Sequence, residues 1–178
     1  MLRDGWAIWD LASILALAAG WTDWRSRRIP NWLTVSGLLT GITVNSLARG
    51  WNGAKDSLLG AGLGLALLLP FVLIRSLGGG DWKLAGAMGA FVGPRHLMAV
   101  LIVAVLIAGV MGAVLIIWKK RVGQTLRNLA RMTAALLSLQ LPGPDLTLDN
   151  PESLKVPFGV AFALAAILYS VRQMWGAL

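Results

Sequence analysis

Among the 178 residues there are eight carboxylates, one histidine and no cysteine. That inventory narrows the available chemistry before any fold is considered. Without cysteine there is no thiol nucleophile, disulfide or thiolate metal site. A lone histidine, His96, argues against a histidine-based zinc site and against a Ser/His triad. No cofactor or metal is expected. Carboxylate chemistry remains. Asp56, Asp145, Asp149 and Glu152 lie in stretches that read as solvated polar loops, and Asp4 precedes the first apolar segment. Asp10 falls near the outer end of that segment, within reach of interfacial water. Asp23 and Asp81 differ, because each stands where a long apolar segment ends or begins. An ionisable group at membrane depth is costly and is therefore a functional suspect.

Two carboxylates brought together can activate water without a cofactor. Like charges a few ångströms apart do not both ionise comfortably, so the pair shares a proton and titrates in two steps. The ionised member takes a proton from water while the neutral member donates one to a scissile carbonyl. The competing reading pairs each acid with a nearby cation, Asp23 with Arg25 or Arg27 and Asp81 with Lys83. The surrounding residues favour a site. Gly78, Gly79 and Gly80 precede Asp81 and weaken helix at that point while permitting close approach of another backbone. An unwound glycine segment there would suit an enzyme that grips an extended peptide. After Asp23, Pro30 biases Ile29 away from helix and could open the next one.

The elements that would position these acids are apolar. Hydrophobic residues make up 57% of the chain and charged residues 13%, about half the charged share of a soluble domain. Six apolar spans read as 6–22, 32–47, 58–77, 84–92, 97–118 and 156–174. The fourth is shorter than the roughly 20 residues a crossing helix needs. It must begin inside the glycine-rich stretch or sit re-entrant against other helices. Residues 6–20 share features with a signal peptide, but Asp10 and the arginines at 25, 27 and 28 point to a retained first span. The expected fold is an all-α integral membrane bundle of about six transmembrane helices, forming one membrane-embedded domain over 1–178.

Lys/Arg asymmetry sets the orientation. With the loop after span one in the cytoplasm, 11 of the 16 cations fall inside. Both termini then face outward, and Asp23 and Asp81 come to the same cytoplasmic depth. The +8 net charge is thus assigned to topology and membrane lipid rather than to nucleic acid. Small residues in the spans favour close helix packing, and most of the nine tryptophans stand near span ends as interfacial anchors. Within the cytoplasmic stretch 119–155, residues 119–140 place Val122, Leu126, Leu129, Thr133 and Leu136 on one helical face. Gln124, Arg127, Asn128 and Arg131 share another, the pattern of an amphipathic helix lying on the membrane surface.

Three stretches resemble the type IV prepilin peptidases, the intramembrane aspartic proteases with a GxGD motif. They are D-x5-I-P-N from Asp23 to Asn31, GGGDWKLAGAMGAFVG from Gly78 to Gly93, and KVPFGVAFA from Lys155 to Ala163. They occur in the same order and cover nearly the whole chain. The resemblance implies an aspartic endopeptidase of the plasma membrane that removes the short basic leader from prepilins or preflagellins at the cytoplasmic face. It makes Asp23 and Asp81 the catalytic pair and Gly78 and Gly80 the flexible glycines before the second acid; the run Gly78, Gly79 and Gly80 is expected to be a substrate-binding or flexible loop. The resemblance gives Pro30, Asn31 and Lys83 local structural roles only. Larger members carry a cysteine-containing cytoplasmic region that methylates the new pilin terminus. This cysteine-free chain resembles the short, peptidase-only form of Flp/Tad-type and preflagellin processing, with no methyl transfer expected. The rival from another class is a non-catalytic membrane assembly subunit or pseudo-enzyme of a pilus or secretion system.

Overall fold

Two glycines decide how this chain folds back on itself. The computed structural model describes the backbone of residues 2–138 and 156–175, which is helical apart from short connections. The helices are α1 (Leu2–Ser26), α2 (Asn31–Leu73), α3 (Gly79–Trp118), α4 (Val122–Leu137) and α5 (Phe158–Trp175). The all-α expectation holds for the described residues. By length and composition α2 and α3 can cross a membrane, each containing an 18-residue stretch of high mean hydropathy, 1.9 and 3.2. Straight helices of 43 and 40 residues would be about 65 and 60 Å long, roughly twice a bilayer's hydrocarbon core. Neither is straight. Gly50 (φ 58°, ψ −141°) divides α2 into arms 31–49 and 51–73, and Gly93 (φ 74°, ψ 172°) divides α3 into arms 79–92 and 94–118. Positive φ is open to glycine without the steric cost other residues meet.

The arms of α2 run antiparallel. Asn45 faces Gly53 across the turn, and the Ser57 hydroxyl donates to the carbonyl of Gly41 at 3.4 Å. The second arm then lies antiparallel to the first arm of α3, with Gly60 against Gly89 and Gly64 against Ala85. A methyl group on Gly60 or Gly89 would overlap the other's carbonyl, so the backbones touch as small-residue membrane packing requires. Trp82 Nε1 ties the acid end of this pair by donating to Leu65 O at 2.7 Å. At the other end, the break at Gly93 leaves carbonyls without an intrahelical partner. Asn45 Nδ2 donates to Ala90 O (3.0 Å) and Phe91 O (2.9 Å), and Ser57 Oγ donates to Ala90 O (2.6 Å). Both side chains are fully buried.

α1 and α5 are antiparallel neighbours, with Gly20 against Ala163 and buried alanines on both helices, including Ala16, Ala19, Ala161 and Ala165. Their pairing gives the bundle two distinct ends. Asp23 and Gly159 meet at one. Trp9, His96 and Tyr169 cluster at the other, with His96 Nδ1 3.0 Å from the Tyr169 hydroxyl.

For the short fourth apolar segment the first of the two alternatives holds, since its helix begins inside the glycine-rich stretch, at Gly79. Other expectations change. The third segment ends at Leu73, short of residue 77, and Arg75 takes φ 55° in the following turn. Asp56 is not in a solvated loop. It is helical, half-exposed and paired with Arg49 at 3.3 Å. The expected amphipathic helix occupies Val122–Leu137 within 119–140. Asp145, Asp149 and Glu152 lie outside the described residues.

Candidate active site

α1 stops just after Asp23 for local reasons. Ser26 Oγ bonds the carbonyl of Thr22 at 2.7 Å, and Arg27 adopts φ 53°, the left-handed conformation common one residue beyond a helix. The chain then extends through Ile29 and Pro30, and α2 begins with Pro30 (φ −64°, ψ 141°) as its N-cap. Ile29 is buried and lies against the glycines of two other helices, Gly80 of α3 and Gly159 of α5. The D-x5-I-P-N stretch is therefore a helix end, a wedge and a helix start.

Asp23 is only 7% exposed. Its carboxylate accepts the backbone N–H groups of Gly159 and Val160. These belong to the first turn of α5, whose earliest intrahelical donor is Ala161 N to Pro157 O at 3.3 Å. Such first-turn amides have no partner inside their own helix and carry its positive dipole end. A buried carboxylate and a buried helix terminus satisfy each other here.

Asp81 occupies the third position of α3, with Gly78 as N-cap, and its carboxylate accepts the Gly78 N–H. This is the acid half of a capping box. The glycine run is consequently not an unwound loop. Gly79 and Gly80 already belong to the helix, and Trp82 N donates to Gly78 O at 3.2 Å. The cap and the dipole outweigh the low helix propensity of glycine. The close approach expected of these glycines is present at Gly80, where a Cβ would stand 3.1 Å from Ile29 Cβ.

The two acids, far apart in sequence, line one hollow of about 270 Å³ with Arg27, Arg28, Ile29 and the three glycines. Asp23 Oδ2 and Asp81 Oδ1 are buried and have no hydrogen-bond partner. Each acid thus buries a carboxylate oxygen that no hydrogen bond commits. Of the cations offered as partners by sequence, Lys83 turns elsewhere: its Nζ donates to Asn31 Oδ1 at 3.0 Å, tying the start of α2 to the start of α3. Arg25 is exposed, whereas Arg27 stands close enough for its charge to act on Asp23. Asp10 is exposed on α1. Among the described residues, no group of three His, Cys, Asp or Glu side chains could hold a metal ion.

Sequence reasoning missed Gly159 and Val160. The signal was present in KVPFGVAFA, a Pro-initiated helix start, but nothing in it named the side chain its amides would meet. The bond between Asn31 and Lys83 was equally hidden, since both residues read as local structure.

A family model described as the type IV leader peptidase family matches residues 11–117, a stretch that includes both acids and ends before α5. A prepilin leader peptidase/N-methyltransferase of Xanthomonas campestris pv. campestris is 29% identical over 116 residues, covering 61% of this chain and 40% of that protein. One from Myxococcus xanthus is 25% identical over an alignment of 219 residues, covering 97% of this chain and 65% of that protein. The chain spans less than two thirds of the length of either relative. No solved structure matches it.

Proposed function

The chain belongs to the type IV leader peptidase family, and from that premise we propose that it is a membrane endopeptidase whose water-activating pair is Asp23 and Asp81. The observation that carries this reading is their shared hollow, where each presents one buried, unpartnered carboxylate oxygen. The ionised carboxylate takes a proton from water, and the resulting hydroxide adds to the scissile carbonyl carbon. The protonated acid meanwhile donates to the carbonyl oxygen. Collapse of the tetrahedral intermediate breaks the C–N bond, and the new amine leaves with a proton returned by the pair.

The substrate of this reading is a prepilin of the Flp/Tad type or a preflagellin, cut after its short basic leader. The cysteine-free sequence and the family match support it. In the membrane, α1, the four arms of α2 and α3, and α5 would supply about six crossings, with the acid hollow at the cytoplasmic face. The excess of cations in the loops at that end supports this orientation. A substrate whose leader is cytoplasmic and whose apolar helix lies in lipid would bring its junction to the depth of the hollow.

The test is leader cleavage of a co-expressed prepilin by wild type, Asp23→Asn and Asp81→Asn at matched membrane levels. Cleavage by wild type alone is the expected result. Cleavage retained in either variant would remove that acid from the reaction, and retention in both would defeat the paired-acid mechanism.

A further inference from the structure

Helix α4 has no structural reason in the bundle to be as polarised as it is. Val122, Leu126 and Leu129 lie on one face at 46%, 62% and 57% exposure, apolar and uncovered. Arg127 and Arg131 lie on the opposite face, where with Gln124 and Asn128 they line a shallow hollow of about 310 Å³. Among the described helices α4 touches α3, to which three residues connect it. Among the described residues this apolar face stands exposed, and water is a poor neighbour for it.

Four observations choose the occupant. The first is position. α3 ends in Trp118, 77% exposed, with Lys119 Nζ 5.6 Å from its ring centre. A tryptophan and a lysine at the end of a membrane-crossing helix mark the headgroup level. The second is charge. No Asp or Glu occurs between Asp81 and Asp145, so α4 and its approach carry Lys119, Lys120, Arg121, Arg127 and Arg131 without an acid among them. The third is polarity on the apolar side. Thr133 lies on that face, and its hydroxyl donates back to the carbonyls of Leu129 (3.0 Å) and Ala130 (2.9 Å). Thr125, at its edge, does the same to Arg121 O (3.0 Å). Neither hydroxyl needs water. The fourth is location: Gly112 on the second arm of α3 approaches Val156, next to the start of α5 that holds Asp23. This places α4 at the acid end of the bundle.

We infer that α4 is an anionic-lipid-binding element: it lies flat in the headgroup region beside the acid hollow, Val122, Leu126 and Leu129 in the acyl boundary, Arg127 and Arg131 on lipid phosphates. A helix with this division seats by apolar burial together with attraction to anionic headgroups. Each basic residue near such a surface contributes about fivefold to the seating equilibrium. The inference concerns the helix and not the chemistry, so it stands or falls separately from the acid pair.

The absence of cysteine makes the test clean in the full chain. Leu126→Cys and Asn128→Cys are each labelled with a small fluorophore and reconstituted into phosphatidylcholine vesicles with or without phosphatidylglycerol. Quenchers are carried either by the upper acyl chain or by neutral acrylamide in water. With phosphatidylglycerol, the Leu126 label is expected to answer to the lipid quencher and the Asn128 label to acrylamide. Omitting phosphatidylglycerol, or adding Arg127→Gln and Arg131→Gln, should reduce the lipid quenching at Leu126 severalfold. Equal behaviour at the two positions overturns the inference, as does indifference to lipid charge. So does a Leu126 label shielded from both quenchers, which would mean that protein covers the face.

Discussion

Asp23 of α1 is held in place by the backbone amide of Gly159 on α5. The bond joins the carboxyl end of one helix to the amino end of its antiparallel neighbour. At the end of α1 the helix dipole disfavours a carboxylate, and at the start of α5 it favours one. The position of the candidate acid is therefore set by α5 as much as by its own helix.

Gly159 can accept no side chain without disturbing that arrangement. A Cβ there would stand 2.9 Å from Asp23 Oδ2, 3.0 Å from Asp23 Cβ and 3.0 Å from Ile29 Cδ1. Gly159→Ala should displace the carboxylate by a fraction of an ångström to an ångström. Misplacement on that scale costs on the order of 100-fold in rate. Val160→Ala, which keeps its amide, should cost far less. The measurement is the leader-cleavage rate at equal membrane level. A fully active Gly159→Ala protein would show that the position of Asp23 does not limit the reaction.

The glycine run before Asp81 separates into positions that matter and one that does not. A Cβ on Gly79 meets nothing within 4 Å, whereas one on Gly80 presses on Ile29, 3.1 Å from its Cβ and 3.4 Å from its backbone N and O. Gly79→Ala should raise stability by about 0.5–1 kcal/mol, because alanine replaces glycine in an open helical position, and should leave cleavage near wild type. Gly80→Ala should shift Ile29 by about a few tenths of an ångström in the wedge between α3 and α5 and lower cleavage by up to about tenfold, again by misplacement of the site. Thermal unfolding in detergent and the cleavage rate together check both halves. Equal effects of the two substitutions would refute the assignment.

The contrast between what could and could not be read from sequence follows from the same residues. Asp23 and Asp81 were conspicuous because long apolar stretches surround them and charge is rare there. The divisions near Gly50 and Gly93 were visible as interruptions of hydropathy. The nature of the first was not, because Arg49, Asn52, Lys55 and Asp56 look like a solvated loop. They are helical, and Arg49 pairs with Asp56 on the surface. Gly79 and Gly80 looked unwound because intrinsic propensity knows nothing of the cap that Asp81 supplies. The partners of Asp23 were hidden for a deeper reason. They are backbone amides, and every residue but proline has one.

The far end of the bundle provides the control for function. Asn45 is fully buried, about 20 Å along its helix from Asn31 at the acid end. Its amide serves the carbonyls of Gly41, Ala90 and Phe91, and its oxygen accepts from Arg49. Asn45→Ala removes the donor that satisfies the broken end of the first α3 arm. Buried polar groups left unpaired cost about 1–3 kcal/mol each, and Ser57 still serves Ala90. A net loss of about 1–3 kcal/mol is therefore expected, read as a lower midpoint of thermal unfolding in detergent. Cleavage per folded molecule should remain within about twofold of wild type, because the wedge at Ile29 and the cap at Gly78 are untouched. Asn45→Ala that kept its stability but lost cleavage would mean that the two ends are coupled, and that the Gly93 break takes part in the reaction rather than only shaping the bundle.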